Sequence, residues 1–137
     1  MNIRREVFET NSSSSHSVVL RGDTDFAPVT ATGDEVVIEP GEFGWGYERL
    51  EYWKDKASYA YTYAASNPAQ MEVLRKVIAD FVGVPVRFNV WRGEWAPTGY
   101  IDHQSADEGA VIFADGEASV KQCIFGPSYI IIDNDNH

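Results

Sequence analysis

The chain has 137 residues, 44% hydrophobic and 13% aromatic, with 21 acidic against 11 basic residues and a net charge of −10. That length and apolar content suit one folded domain with its own core rather than a disordered segment. The charge excludes autonomous nucleic-acid binding, which needs a basic footprint; it favours solubility and suits a surface that occupies a basic groove on another protein.

The opening "MNIRREVFET" carries charge but lacks the apolar stretch of a signal peptide. Residues 3–9 and 16–21 read as two strands on either side of the serine run in "NSSSSHS". Residues 22–34 are a loop by composition, and "EVVIEP" (35–40) is a short strand stopped by Pro40 and Gly41. The glycines of "GEFGWG" bracket Phe43 and Trp45 and mark unusual torsions or a close backbone approach. From 47 to 65 the period becomes helical, with Leu50, Trp53, Ala57, Tyr61 and Ala64 on one stripe and Tyr52, Lys56, Tyr59 and Tyr63 on another. Such a helix is expected to be buried on two sides.

A second helix over 68–82 has Asn67 as its cap, Pro68 at its first position and Gln70 completing a capping-box spacing. Met71, Leu74, Ile78 and Phe81 are expected to form its buried stripe, and Gly83 sits where a C-terminal cap belongs. Alternation returns at 84–91, and short strands are expected at 99–102, 110–115 and 128–133, with a short helix at 118–125 ended by Gly126 and Pro127. The pattern predicts one α+β domain, mainly an antiparallel sheet packed against two central helices and a short third one. Cys123 is the only cysteine, which excludes an intrachain disulfide; in "SVKQCIFG" it reads as a buried, inert thiol. No apolar run reaches transmembrane length, so no membrane association is expected and the expected location is the cytoplasm. There the sequon at Asn11 carries no meaning.

Three polar stretches carry candidate chemistry. Asn11, Ser12, Ser13, Ser14 and Ser15 form a run of hydroxyls and an amide that suits anion binding, although no Walker sequence accompanies it. A serine nucleophile such as Ser14 needs a base, for which His16 and the distant His103 are the candidates. In "YIDHQS", extended chain puts Asp102 and Gln104 on one side, His103 and Ser105 on the other. The last stretch, "IIIDNDNH", sends a buried strand into polar residues. Asp133, Asp135 and His137 then project from one face at about 7 Å per step, a donor set acceptable to a divalent ion, beside Asn134. Glu42 is a further candidate acid or base if the glycines around it hold it in a cleft. Trp91 and Trp95 in "WRGEW" suit a partner-binding anchor.

The stretches "VFETNSSSSHS", "GEFGW", "DKASYAYTYA", "YIDHQS" and the terminal "DNDN" together resemble a family of small, mostly uncharacterised phage and prophage proteins. The resemblance spans nearly the whole chain and implies a phage-related setting in the host cytoplasm; no reaction comes with it.

Two functional readings follow. In the first, the polar strand ends meet in a pocket for a phosphate-bearing or nucleotide-like ligand, with Tyr59 or Tyr63 on its wall. The serine loop then holds the anion, His103 acts as acid or base with Asp102 and Glu42 near it, and a divalent metal sits at the acids; hydrolysis or group transfer is the reaction class. In the second, the chain is a non-catalytic acidic inhibitor that binds a host protein. A minor virion component is a third possibility, and enzyme status stays open between them.

Overall fold

A computed structural model describes residues 14–22, 26, 28–31, 33–44, 46–92, 95–101 and 109–134. The strand expected over 3–9 lies outside them. In chain order the elements are β1 (Ser14–Val19), β2 (Val36–Ile38), β3 (Glu42–Phe43), β4 (Glu48–Leu50), α1 (Trp53–Ala64), α2 (Pro68–Val82), β5 (Val86–Phe88), β6 (Tyr100–Ile101), α3 (Gly116–Phe125) and β7 (Tyr129–Asn134). This is a single α+β domain. Its largest sheet is antiparallel in the order β1-β7-β4, while β2 with β5 and β3 with β6 form two parallel pairs.

β7 is the middle strand of the three. Its successive isoleucines are what a central strand needs, because both neighbours and the helices behind must be met by apolar side chains. Ile130 and Ile132 are fully buried and face the core, whereas Ile131 is half-buried. β4 lies where the helical period was expected to begin. Residues 48–50 pair with Ile132–Ile130 of β7, so α1 starts at Trp53 rather than near 47. A helical stripe and a short strand cannot be told apart over three residues, and the open edge of β7 decides the outcome.

α1 is buried on two sides, as its two stripes predict: Lys56, Ala57, Tyr59, Ala60, Tyr61 and Ala64 are all buried. Its alanines let α2 and α3 approach closely, and it packs against both, as well as against β2 and β6. In α2 Asn67 caps the helix as expected, but the capping box is half formed, because the Asn67 amide donates to Ala64 O at 2.8 Å. Asn67 Oδ1 accepts from the Gln70 amide at 3.1 Å, and the helix ends at Gly83 with a left-handed φ of 83°. Leu74 and Ile78 are fully buried with Val77 and Val82, while Met71 and Phe81 pack at the margin of the core.

The strand expected over 110–115 is instead a 3-10 turn over residues 109–113. Ile112 drops into the core as a strand residue would, but among the described residues no strand pairs with this segment. Its backbone groups are satisfied locally. Ser119 Oγ donates to Ile112 O at 2.8 Å and accepts from the Asp115 amide at 2.9 Å, and the Ala114 amide donates to Val111 O at 3.3 Å. Residues 109–115 thereby lead directly into α3, which begins two residues earlier than the sequence pattern indicates.

The glycines of "GEFGWG" do what their spacing suggests. Phe43 is buried, and a side chain at Gly41 would strike its ring at 2.7 Å. Gly99, at φ +85°, crosses directly over Gly41, where any Cβ would collide with the Gly41 carbonyl. That close crossing lets β3 and β6 pair over only two residues, with the Tyr100 amide donating to Gly41 O at 2.8 Å.

Candidate functional site

The serine run is split between an undescribed part and a strand. Asn11, Ser12 and Ser13 lie outside the described residues, whereas Ser14 and Ser15 are the first residues of β1. Antiparallel pairing sets Ser14 opposite Asn134 and Ser15 opposite Asp133. Two of the three polar stretches therefore meet along one strand pair, at the end where β1 begins and β7 finishes. Asp102, His103, Gln104, Ser105 and Asp135 lie outside the described residues.

His16 follows immediately and is in the core, with 2% of its surface exposed. Its Nδ1 shares a 2.8 Å hydrogen bond with the hydroxyl of Tyr59, itself fully buried. A dissolved ligand cannot reach either group without opening the core, so His16 as a base and Tyr59 as a pocket wall both give way to a structural pair. The bond gives the ring's Nδ1 and the phenol a polar partner inside an apolar core. Tyr59 also meets the edge of Phe43 with ring centroids 5.0 Å apart, and Phe43 stands opposite Ile101, the last described residue before Asp102. His16, Tyr59, Phe43 and Ile101 thus form a continuous packed line between β1 and the end of β6. Glu42 is exposed on β3 opposite Tyr100 rather than enclosed in a cleft. Among the described residues no group of three or more histidine, cysteine, aspartate or glutamate side chains is placed to hold a metal ion.

Two features escaped sequence reasoning. Lys56, on the aromatic stripe of α1, is 1% exposed, and its Nζ donates to the carbonyls of Gly126 at 3.1 Å and Ser128 at 2.8 Å. These carbonyls lie just past the C-terminus of α3, where a cation is favoured. Burial pushes the Lys56 ammonium down from its ordinary value, with the Cys123 and Glu51 side chains pulling weakly the other way. Lys56 also forms part of the wall of a hollow of about 450 Å3 beside Val29, Glu51 and Trp53. The adjacent Cys123 thiol is buried and pushed up to about 12, which makes it inert as its sequence setting suggests. The second feature is a pair of cations, Arg21 and Lys121, lining a hollow of about 620 Å3 beside α3. They lie a hundred positions apart in sequence, so no local motif announces them.

The surface around "WRGEW" is aromatic and acidic. Trp95 is 71% exposed and leans on the Tyr100 ring at 5.4 Å, with Trp91 half-buried and Val90 exposed nearby in the chain. The loop is closed by the Trp91 amide donating to Pro97 O at 2.8 Å and the Gly99 amide to Ala96 O at 2.9 Å. Two exposed carboxylates lie on the strands and chain that flank it. Glu42 lies opposite Tyr100, and Glu39 accepts from Asn89 Nδ2 at 2.9 Å, just before Val90. No family model, curated protein or solved structure matches this chain.

Proposed function

We propose that this chain is a non-catalytic binding protein that engages a basic surface of a host protein, in the phage-related cytoplasmic setting its sequence resemblance implies. The observation that carries this reading is Trp95. A tryptophan with most of its ring in solvent, braced by Tyr100, is a large rigid contact that loses little freedom on binding. Glu42 on the strand opposite Tyr100 and Glu39 bonded to Asn89, in a chain of net charge −10, favour a partner rich in arginine and lysine and would speed its encounter. Arginine on such a partner also gains from the face of an indole.

The test compares proteins captured from host lysate by the wild-type chain, by Trp95→Ala and by Glu39→Gln/Glu42→Gln. A partner that is basic, that is lost with Trp95→Ala and that weakens with added salt supports the reading. A captured set unchanged by both variants refutes it. A second reading rests on the Ser14–Asn134 and Ser15–Asp133 register: a pocket at that strand end for a phosphate-bearing or nucleotide-like ligand, with a divalent metal at Asp133 and Asp135 and hydrolysis or group transfer as its chemistry. Thermal shifts across divalent metals and nucleotides test it, since a ligand of the native state raises the melting temperature.

A further inference from the structure

The hollow between the end of β1 and the outer face of α3 is lined by Leu20, Arg21, Phe26, Asp115, Ala118 and Lys121. Its volume of about 620 Å3 falls in the range of small-molecule sites. Two cations from distant parts of the chain line it together. Arg49, Arg75, Lys76 and Arg87 each pair with a carboxylate; among the described residues Arg21 and Lys121, like Lys54, Lys56 and Arg92, make no ion pair. The acids across α3 do not supply one, because Glu117 and Asp80 both engage Lys76, at 3.1 and 3.3 Å. Lys121 instead holds its Nζ over the Phe26 ring at 4.5 Å and towards the Phe81 ring at 5.6 Å. The Arg21 guanidinium stands 6.0 Å from the Tyr129 ring, with no carboxylate paired to it among the described residues, and lines the same hollow as Lys121, so the two together put positive charge on it in a strongly acidic protein.

We propose that this hollow binds a small phosphate-bearing anion with an apolar body, its phosphate held by Arg21 and Lys121 and its body against Leu20, Phe26 and Ala118. The guanidinium offers a planar fork that matches two phosphate oxygens, and the ammonium acts as a point charge beside it. Asp115, on the same wall, opposes the ligand charge and so limits affinity for larger polyanions. The adjoining hollow between α2 and α3, of about 360 Å3, shares Ala118 and Lys121 but adds Asp80 and Glu117, which confines an anion to the β1 side. The site shares no residue with the Trp95 surface and stands independently of the function proposed for it.

The test is an amide NMR titration of the full chain with phenyl phosphate. Saturable shifts at the amides of Gly22, Asp115 and Gln122 are expected, with none from phenol. Arg21→Gln and Lys121→Gln are each expected to weaken binding about tenfold, the loss of one charge-assisted contact. Lys121→Arg should retain binding, and Asp115→Asn should tighten it. Arg21 is exposed and Lys121 half-buried, so all four variants keep the core, which a thermal melt checks. No shifts with phenyl phosphate, or shifts of undiminished affinity in Lys121→Gln, would overturn the proposal.

Discussion

Replacing Lys56 by methionine tests how α1, α3 and β7 are held together. The stem is conserved in volume, so the change removes the amine and little else. Two carbonyls, Gly126 O and Ser128 O, lose their donor in a region where both residues are buried. A stranded buried acceptor costs about 1–3 kcal/mol, and relief from burying an ammonium offsets part of that. The expected net loss is about 3 kcal/mol. With a urea m-value of about 2 kcal/mol per molar for a chain of this size, the midpoint should fall by about 1.5 M.

The same substitution carries a pH signature. Burial holds the folded-state pKa of Lys56 below its ordinary 10.5. Between those two values the unfolded chain binds more protons than the native one, so this residue makes stability rise with pH across that window. The neutral amine still has two N–H donors for its two carbonyls, so the clamp survives deprotonation. Cys123 and Tyr61, both raised by burial, give the opposite slope at alkaline pH. The wild-type minus Lys56→Met difference in urea midpoint, followed from about pH 7 to about pH 10, cancels their direct contributions to first order and should grow with pH. A Lys56→Met chain within about 0.5 kcal/mol of wild type at neutral pH would refute the reasoning, since it would mean the hydrogen bonds only balance the desolvation.

Tyr59→Phe keeps the ring against Phe43 but removes the hydroxyl that meets His16, and should lower stability by about 1–2 kcal/mol in urea unfolding. Gly83→Ala meets no atom within 4 Å, so its cost is backbone strain alone at φ +83°, about 1–2 kcal/mol by the same measurement. Gly33→Ala, equally open and without a left-handed φ, should lie within about 0.5 kcal/mol of wild type. Cys123 should resist iodoacetamide in the native protein at about pH 8 and react rapidly in urea, read by mass spectrometry; fast native labelling would contradict its burial and its thiol pKa of about 12.

The bounds of α2 were legible because their signals are local, a capping asparagine, a proline at the first position and a terminal glycine within seventeen residues; its buried face was only half legible, since Val77 and Val82 are buried where Met71 and Phe81 were expected. The aromatic girth of α1 was legible for the same reason, but its start was not. Residues 48–50 become a strand only because β7 offers an edge some eighty positions later. The turn over 109–113 misled through its apolar content; its structure is set by Ser119, whose hydroxyl supplies what a sheet partner would have. The candidate sites divide along the same line. The dense polar stretches were visible as composition, and pairing of β1 with β7 brings two of them together. His16 and Tyr59, by contrast, look functional in a list of residue types and are structural in space, while Arg21 and Lys121 look ordinary in sequence and share a hollow.

The order of strands in the largest sheet has a consequence for how the protein is made. β7 lies between β1 and β4, yet it is synthesised after both and after all three helices. Until Tyr129–Asn134 leaves the ribosome, β1 and β4 have no strand partner among the described residues and the buried Ile130 and Ile132 are missing from the core. Contacts between segments so distant in sequence form slowly. A nascent form halted before residue 129 therefore exposes the edges of β1 and β4 that β7 covers, the kind of surface that chaperones recognise and that self-associates.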